Sequence, residues 1–154
     1  MSKANKVIVV RVVMLATLFL WGCFFSVSIN ITGIWDGTME WTSGPATGIA
    51  YPVLFDLAHE GREVTGTITL HSHGEYTFEI PIVQGSARGG SISLIARGDN
   101  PWVPGEPTIE FEITGHYDQS AMSGDGTQSI DGTTYEFTFS VVLTTEPVTE
   151  TSVH

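Results

Sequence analysis

Apolar and polar residues alternate along most of the chain, in strand-length stretches cut by glycine-rich turns, and no stretch has helical spacing. Tyr135, Phe137, Phe139, Val141 and Leu143 share one parity, while Glu136, Thr138, Ser140 and Thr144 take the other. Successive side chains of a strand point to opposite faces, so the pattern makes one apolar face and one polar face. The alternation and turn signals predict eight strands, at 31–41, 49–58, 64–72, 75–83, 91–97, 108–118, 121–128 and 134–144. Turns are expected at 60–62, 85–90 and 131–132, and residues 124–126 (Gly-Asp-Gly) also read as a hairpin turn.

The links are short, which favours antiparallel neighbours in chain order. The predicted fold is all-β, an eight-stranded antiparallel up-and-down meander barrel. Closure removes the exposed edges and leaves an interior for side chains or one small ligand. A β-sandwich is the alternative.

The first 28 residues are of another kind. Lys3, Lys6 and Arg11 precede an apolar run over 12–25, the layout of a secretory signal. Leu20-Trp21-Gly22-Cys23 resembles the lipobox of bacterial lipoproteins, which implies a lipidated Cys23 and attachment to the cell envelope. Cleavage after Ser28 and secretion is one alternative, and an uncleaved membrane anchor is another. The expected organisation is a leader over 1–28, a barrel domain over 29–144 and a polar tail over 145–154. Cys23 is the only cysteine, so no disulfide forms within the domain. Past the leader, Arg62, Arg88 and Arg97 face all 17 acidic residues, and there is no lysine. Such a surface repels nucleic acid, which is excluded as a partner.

Gly33-Ile34-Trp35 resembles the Gly-x-Trp of lipocalins, and residues 31–35 (Ile-Thr-Gly-Ile-Trp) are similar to the opening strand of avidin-type barrels. Val64-Thr65-Gly66-Thr67 and Met122-Ser123-Gly124 are similar to glycine-marked strands of the same calycin group. The resemblance implies a small barrel that binds a ligand. It does not carry over a particular ligand, because the polar residues that avidins use for biotin have no counterpart here.

Candidate chemistry falls in three places. His71-Ser72-His73 places two imidazoles on one strand face. With Gly66, Glu79 and Gly85 the segment resembles the first metal-binding motif of cupins, although its spacings differ. His71 and His73 share the parity of Thr65, Thr67 and Thr69, so a barrel with an apolar interior turns them toward solvent. Trp35, Tyr51, Phe55, Tyr76, Phe78, Phe111, Tyr117, Tyr135, Phe137 and Phe139 share the apolar parity and are expected inside. They read either as a filled core or as an apolar ligand pocket with tyrosine hydroxyls near the mouth. The proline-rich loop over 98–107 carries Trp102, which reads as a lid, a partner contact or a plug.

The sequence thus predicts an exported, non-enzymatic barrel without a cofactor. Its expected role is to bind a small apolar or aromatic ligand, or to act as a surface interaction module. The alternatives are a cupin-like metal enzyme using His71, His73 and Glu79, and a structural envelope lipoprotein with a filled core.

Overall fold

A computed structural model of the chain describes residues 29–72, 76–99 and 108–144, with Ser72 and Tyr76 described by backbone alone. The strands are β1 (Gly33–Trp41), β2 (Ala50–Glu60), β3 (Glu63–Ser72), β4 (Tyr76–Arg88), β5 (Ser91–Gly98), β6 (Ile109–Tyr117), β7 (Ala121–Ile130) and β8 (Thr133–Leu143). Each pairs antiparallel with the next, and β1 pairs with β8 to close the barrel. The expected meander barrel is therefore the observed fold. The expected leader, Cys23 and the tail over 145–154 lie outside the described residues.

Antiparallel order gives the barrel two distinct ends. The β2–β3, β4–β5 and β6–β7 links lie at one end, with the start of β1. The connections from β1 to β2, β3 to β4, β5 to β6 and β7 to β8 lie at the other, hereafter the mouth. Asp131 and Gly132 form the two-residue β7–β8 turn with φ of 48° and 75°, the left-handed backbone that an Asp-Gly pair adopts readily. At the opposite end Asp118 holds the β6–β7 link. Its carboxylate accepts the backbone N–H groups of Ser120 (2.7 Å) and Ala121 (2.8 Å) and the Ser120 hydroxyl (3.1 Å). These bonds, the one from the Ser120 N–H foremost, hold its carboxyl below the ordinary aspartate value of 3.8.

Two sequence expectations need correction. The turn expected over 85–90 shrinks to Gly89 and Gly90, because β4 continues to Arg88. A bulge explains this. Ile82 pairs with Ala96 but Gln84 pairs with Ile95, so Val83 is an extra residue that points outward at 55 % exposure. The extra residue reverses the parity: Ile80 and Ile82 face inward before it, and Ala87 faces inward after it. Residues 124–126 are not a turn either; they lie within β7. Gly124 opposes Phe139 and Gly126 opposes Phe137 on β8. A Cβ on Gly126 would stand 2.4 Å from the Phe137 ring. Gly126 of β7 thus makes room for the Phe137 ring, and Gly115 of β6 does the same for Phe139, whose ring a Cβ there would meet at 3.0 Å.

The interior is solid from the β1 start to beyond its middle. Ile31, Trp35, Phe55, Leu57, Val64, Ile68, Leu94, Ile113, Met122, Phe139 and Val141 are all buried in one continuous core. The Trp35 indole N–H donates to the Ile31 carbonyl at 2.9 Å, so the residue leading into β1 seals this end with its polar group satisfied. Phe55 and Phe139 pack with ring centroids 5.5 Å apart. Such burial is the main source of stability in a barrel without a disulfide.

Candidate functional site at the barrel mouth

The mouth is built from smaller or less completely inserted side chains. Inward positions of β5 taper from Ile92 and Leu94 near the closed end to Ala96 and Gly98 at the mouth, so this wall supplies little volume there. The mouth holds a pocket of about 290 Å³. Its walls are Trp41 at the end of β1, Tyr51 at the start of β2, Leu70 on β3, Phe78 on β4, Gln128 on β7 and Tyr135 on β8. Pro45 and Ala46 of the β1–β2 loop form part of its rim.

Trp41 organises these walls. Its ring meets Tyr51 edge-on at 5.3 Å and 86°, and it packs on Phe137 at 5.7 Å. Phe137 in turn packs on Phe111 at 5.9 Å, so the pocket rests on the solid core. The Trp41 indole N–H donates to Gln128 Oε1 at 3.2 Å. An indole N–H can only donate, so the amide oxygen must face it and the NH₂ group must point elsewhere. Gln128 is 3 % exposed, and its Nε2 has no hydrogen-bond partner among the described residues. Burying an amide donor unpaired is costly, which marks this atom as a site awaiting an acceptor.

The rim is held in place before any ligand arrives. The backbone N–H of Gly48 donates to Trp41 O at 2.8 Å, and that of Thr42 donates to Glu136 O at 2.8 Å. The Ser43 hydroxyl accepts the Glu136 N–H at 2.7 Å. Gly44 has φ of +83°, and a Cβ there would lie 2.3 Å from the Tyr135 ring, so glycine lets this ring lie flat against the loop. No Asp, Glu, Lys, Arg or His is among the described lining residues. Outer-wall hollows differ: one is framed by Glu112, Thr114, Asp125, Thr127 and Glu136.

The predicted aromatic set divides. Tyr51, Phe78 and Tyr135 are half-buried and line the pocket. Trp35, Phe55, Phe111, Phe137 and Phe139 are buried in the core, with Phe137 forming the support under Trp41. Tyr117 is buried at the end of β6, at the closed end, and so takes no part in the mouth. The expectation that it reaches the mouth is corrected: even-numbered strands begin at the mouth, and a residue that ends one lies at the far end. The side chain of Tyr76 is outside the described set. Trp102 also lies outside the described residues, although the strand ends that flank its loop, Gly98 and Ile109, are at the mouth.

His71 and Glu79 are exposed on the outer wall, and His71 Nδ1 lies 3.1 Å from the Thr77 hydroxyl. His73 lies outside the described residues. Among the described residues no three His, Cys, Asp or Glu side chains are grouped so as to hold a metal ion. Sequence reading passed over Trp41, Leu70 and Gln128 as site residues. Each was marked by the alternation, and Gln128 carried the sharper signal, a polar side chain on the inward parity of Met122.

No protein-family model, curated protein or solved structure matches the chain. The closed eight-stranded antiparallel barrel is compatible with the calycin architecture.

Proposed function

We propose that this protein is an exported, calycin-like binding barrel that takes one small, uncharged aromatic or apolar molecule into its mouth. The observation that carries this reading is the preformed pocket walled by Trp41, Tyr51, Leu70, Phe78 and Tyr135. Apolar walls with a few placed polar groups are the usual make-up of a small-molecule site. An apolar cavity of about 150 Å³ holds benzene, so one of about 290 Å³ suits a molecule of two fused rings. The barrel is a carrier or sensor in this reading, not a catalyst.

The placement of the chain ends supports the same role. The Thr144 N–H donates to Ile34 O at 2.8 Å, so both ends of the described barrel meet at the closed end. A leader or a lipid on Cys23 would attach there, and the mouth would face away from the membrane.

Titration of the full chain with naphthalene, followed by quenching of tryptophan emission, tests the reading. Saturable one-to-one binding is expected, and Leu70→Phe, which pushes a ring into the pocket, should weaken it at least tenfold. Absence of saturable binding, or binding that Leu70→Phe leaves intact, would refute it.

A further inference from the structure

The polar half of the ligand can be read from Gln128. We infer that its Nε2 is the recognition donor of the mouth pocket, and that the ligand is a neutral aromatic molecule bearing one hydrogen-bond acceptor, of which a ketone or amide carbonyl is the simplest form. The inference rests on the binding function proposed above and adds the chemistry of the ligand's polar end.

Three observations converge. The side chain is 3 % exposed and lines the pocket, yet its NH₂ group has no partner among the described residues. Its oxygen accepts from the Trp41 indole, which fixes the amide's orientation and leaves the NH₂ group as its unpaired end. In the strand register Gln128 stands between Phe111 on β6 and Tyr135 on β7's other neighbour, β8, so the donor is set among aromatic side chains. An acceptor on the edge of a flat ring system would meet the NH₂ group while the rings lie against the aromatic walls.

The charge of the ligand follows from the same walls. A buried carboxylate or phosphate needs a cation beside it. The described lining residues include none, and the barrel's outer surface is acidic. An ammonium group would leave Gln128 Nε2 unpaired in turn, because the orphaned group among the described lining residues is a donor. A neutral acceptor satisfies both conditions.

The test compares 2-acetylnaphthalene with 2-isopropenylnaphthalene, which differ only in C=O against C=CH₂. Affinities for both are measured on Trp41→Phe, with and without Gln128→Met, which keeps the length of the side chain but has no N–H; the phenylalanine keeps an indole N–H that has lost its acceptor from taking over the carbonyl. The preference for the ketone over the alkene should fall about fivefold in the variant, the worth of one neutral hydrogen bond. Infrared spectra of the ketone bound to the wild-type chain give a readout independent of the variant's fold. Its carbonyl stretch should move to lower wavenumber than in hydrocarbon solvent, and that displacement should be lost with Gln128→Met in the Trp41→Phe chain. Both ligands binding with the same preference in the two proteins, or an unshifted carbonyl band, would overturn the inference while leaving the pocket as a site. Such a result would assign Nε2 to a water molecule. Neither ligand binding the wild-type chain would overturn the inference and the proposed function together.

Discussion

Trp35 and Trp41 stand six residues apart on one strand, on the same inward parity, and their surroundings define the two halves of this barrel. Trp35 is 1 % exposed, donates its indole N–H to a backbone carbonyl and is enclosed by aliphatic and aromatic side chains. Trp41 is also buried, but it donates to a side chain whose other polar atom is left over, and one of its faces borders a cavity. The first indole completes a core. The second organises a site. Identical residues on one strand thus acquire different roles from what neighbouring strands supply at each level: Leu57, Val64 and Val141 toward the closed end, against Ala46, Gly98 and Gln128 toward the mouth.

The contrast can be broken most forcefully by truncation. Trp35→Ala should cost about 3–5 kcal/mol, because it opens a large cavity in a packed region. Trp41→Ala should cost less, since one side of that ring has no packing to lose, yet it should abolish naphthalene binding. Urea unfolding of both variants checks the order. Equal costs would mean that the mouth is as tightly packed as the closed end.

Enlargement sharpens the same difference with smaller effects. Gly126→Val should destabilise by about 1–3 kcal/mol, because a Cβ there drives into the Phe137 ring and the backbone of Glu112. Leu70→Phe adds the same number of carbon atoms at the pocket wall and should change stability by less than about 1 kcal/mol, in either direction. Thermal melts of the two variants beside the parent decide this. A Leu70→Phe penalty as large as that of Gly126→Val would show that the mouth has no room.

The smallest effect concerns the link at the closed end and its pH dependence. The Asp118 carboxyl is held below 3.8 in the folded chain by the N–H groups it accepts. A carboxylate with a lowered folded value stabilises the fold fully above its unfolded value and loses that contribution as pH falls through the folded one. Asp118→Ala should therefore be slightly less stable than the parent at neutral pH, and the two denaturation midpoints should converge below the aspartate range. Naphthalene affinity should not change, because the link lies at the end opposite the mouth.

Much of this molecule was legible in its alternation. Parity alone places Trp35, Phe55, Phe111, Phe137 and Phe139 inside and His71 on the outer wall, and the Asp131-Gly132 pair marks its own turn. Parity says nothing about height along the barrel axis, however. Tyr117 shares the inward face with Tyr51 and Tyr135 but lies at the other end, and only strand direction within the meander reveals it. The bulge at Val83 escaped for a different reason. A single inserted residue reverses the inward face, and the glycines that follow resemble a turn. The pocket escaped as well, because a void is set by the summed volumes of facing strands. Its most telling signal was present nonetheless: Gln128, a polar residue where an apolar one was due.

In the proposed function the mouth holds a ligand and the closed end holds only core. Nuclear magnetic resonance of the isotope-labelled chain during titration with 2-acetylnaphthalene tests it most directly. Saturating shifts are expected at the Trp41 indole N–H, the Gln128 side-chain NH₂, Tyr51, Leu70 and Tyr135, with the Trp35 indole N–H unmoved. Shifts centred on Trp35, or confined to the outer wall around His71 and His116, would contradict it.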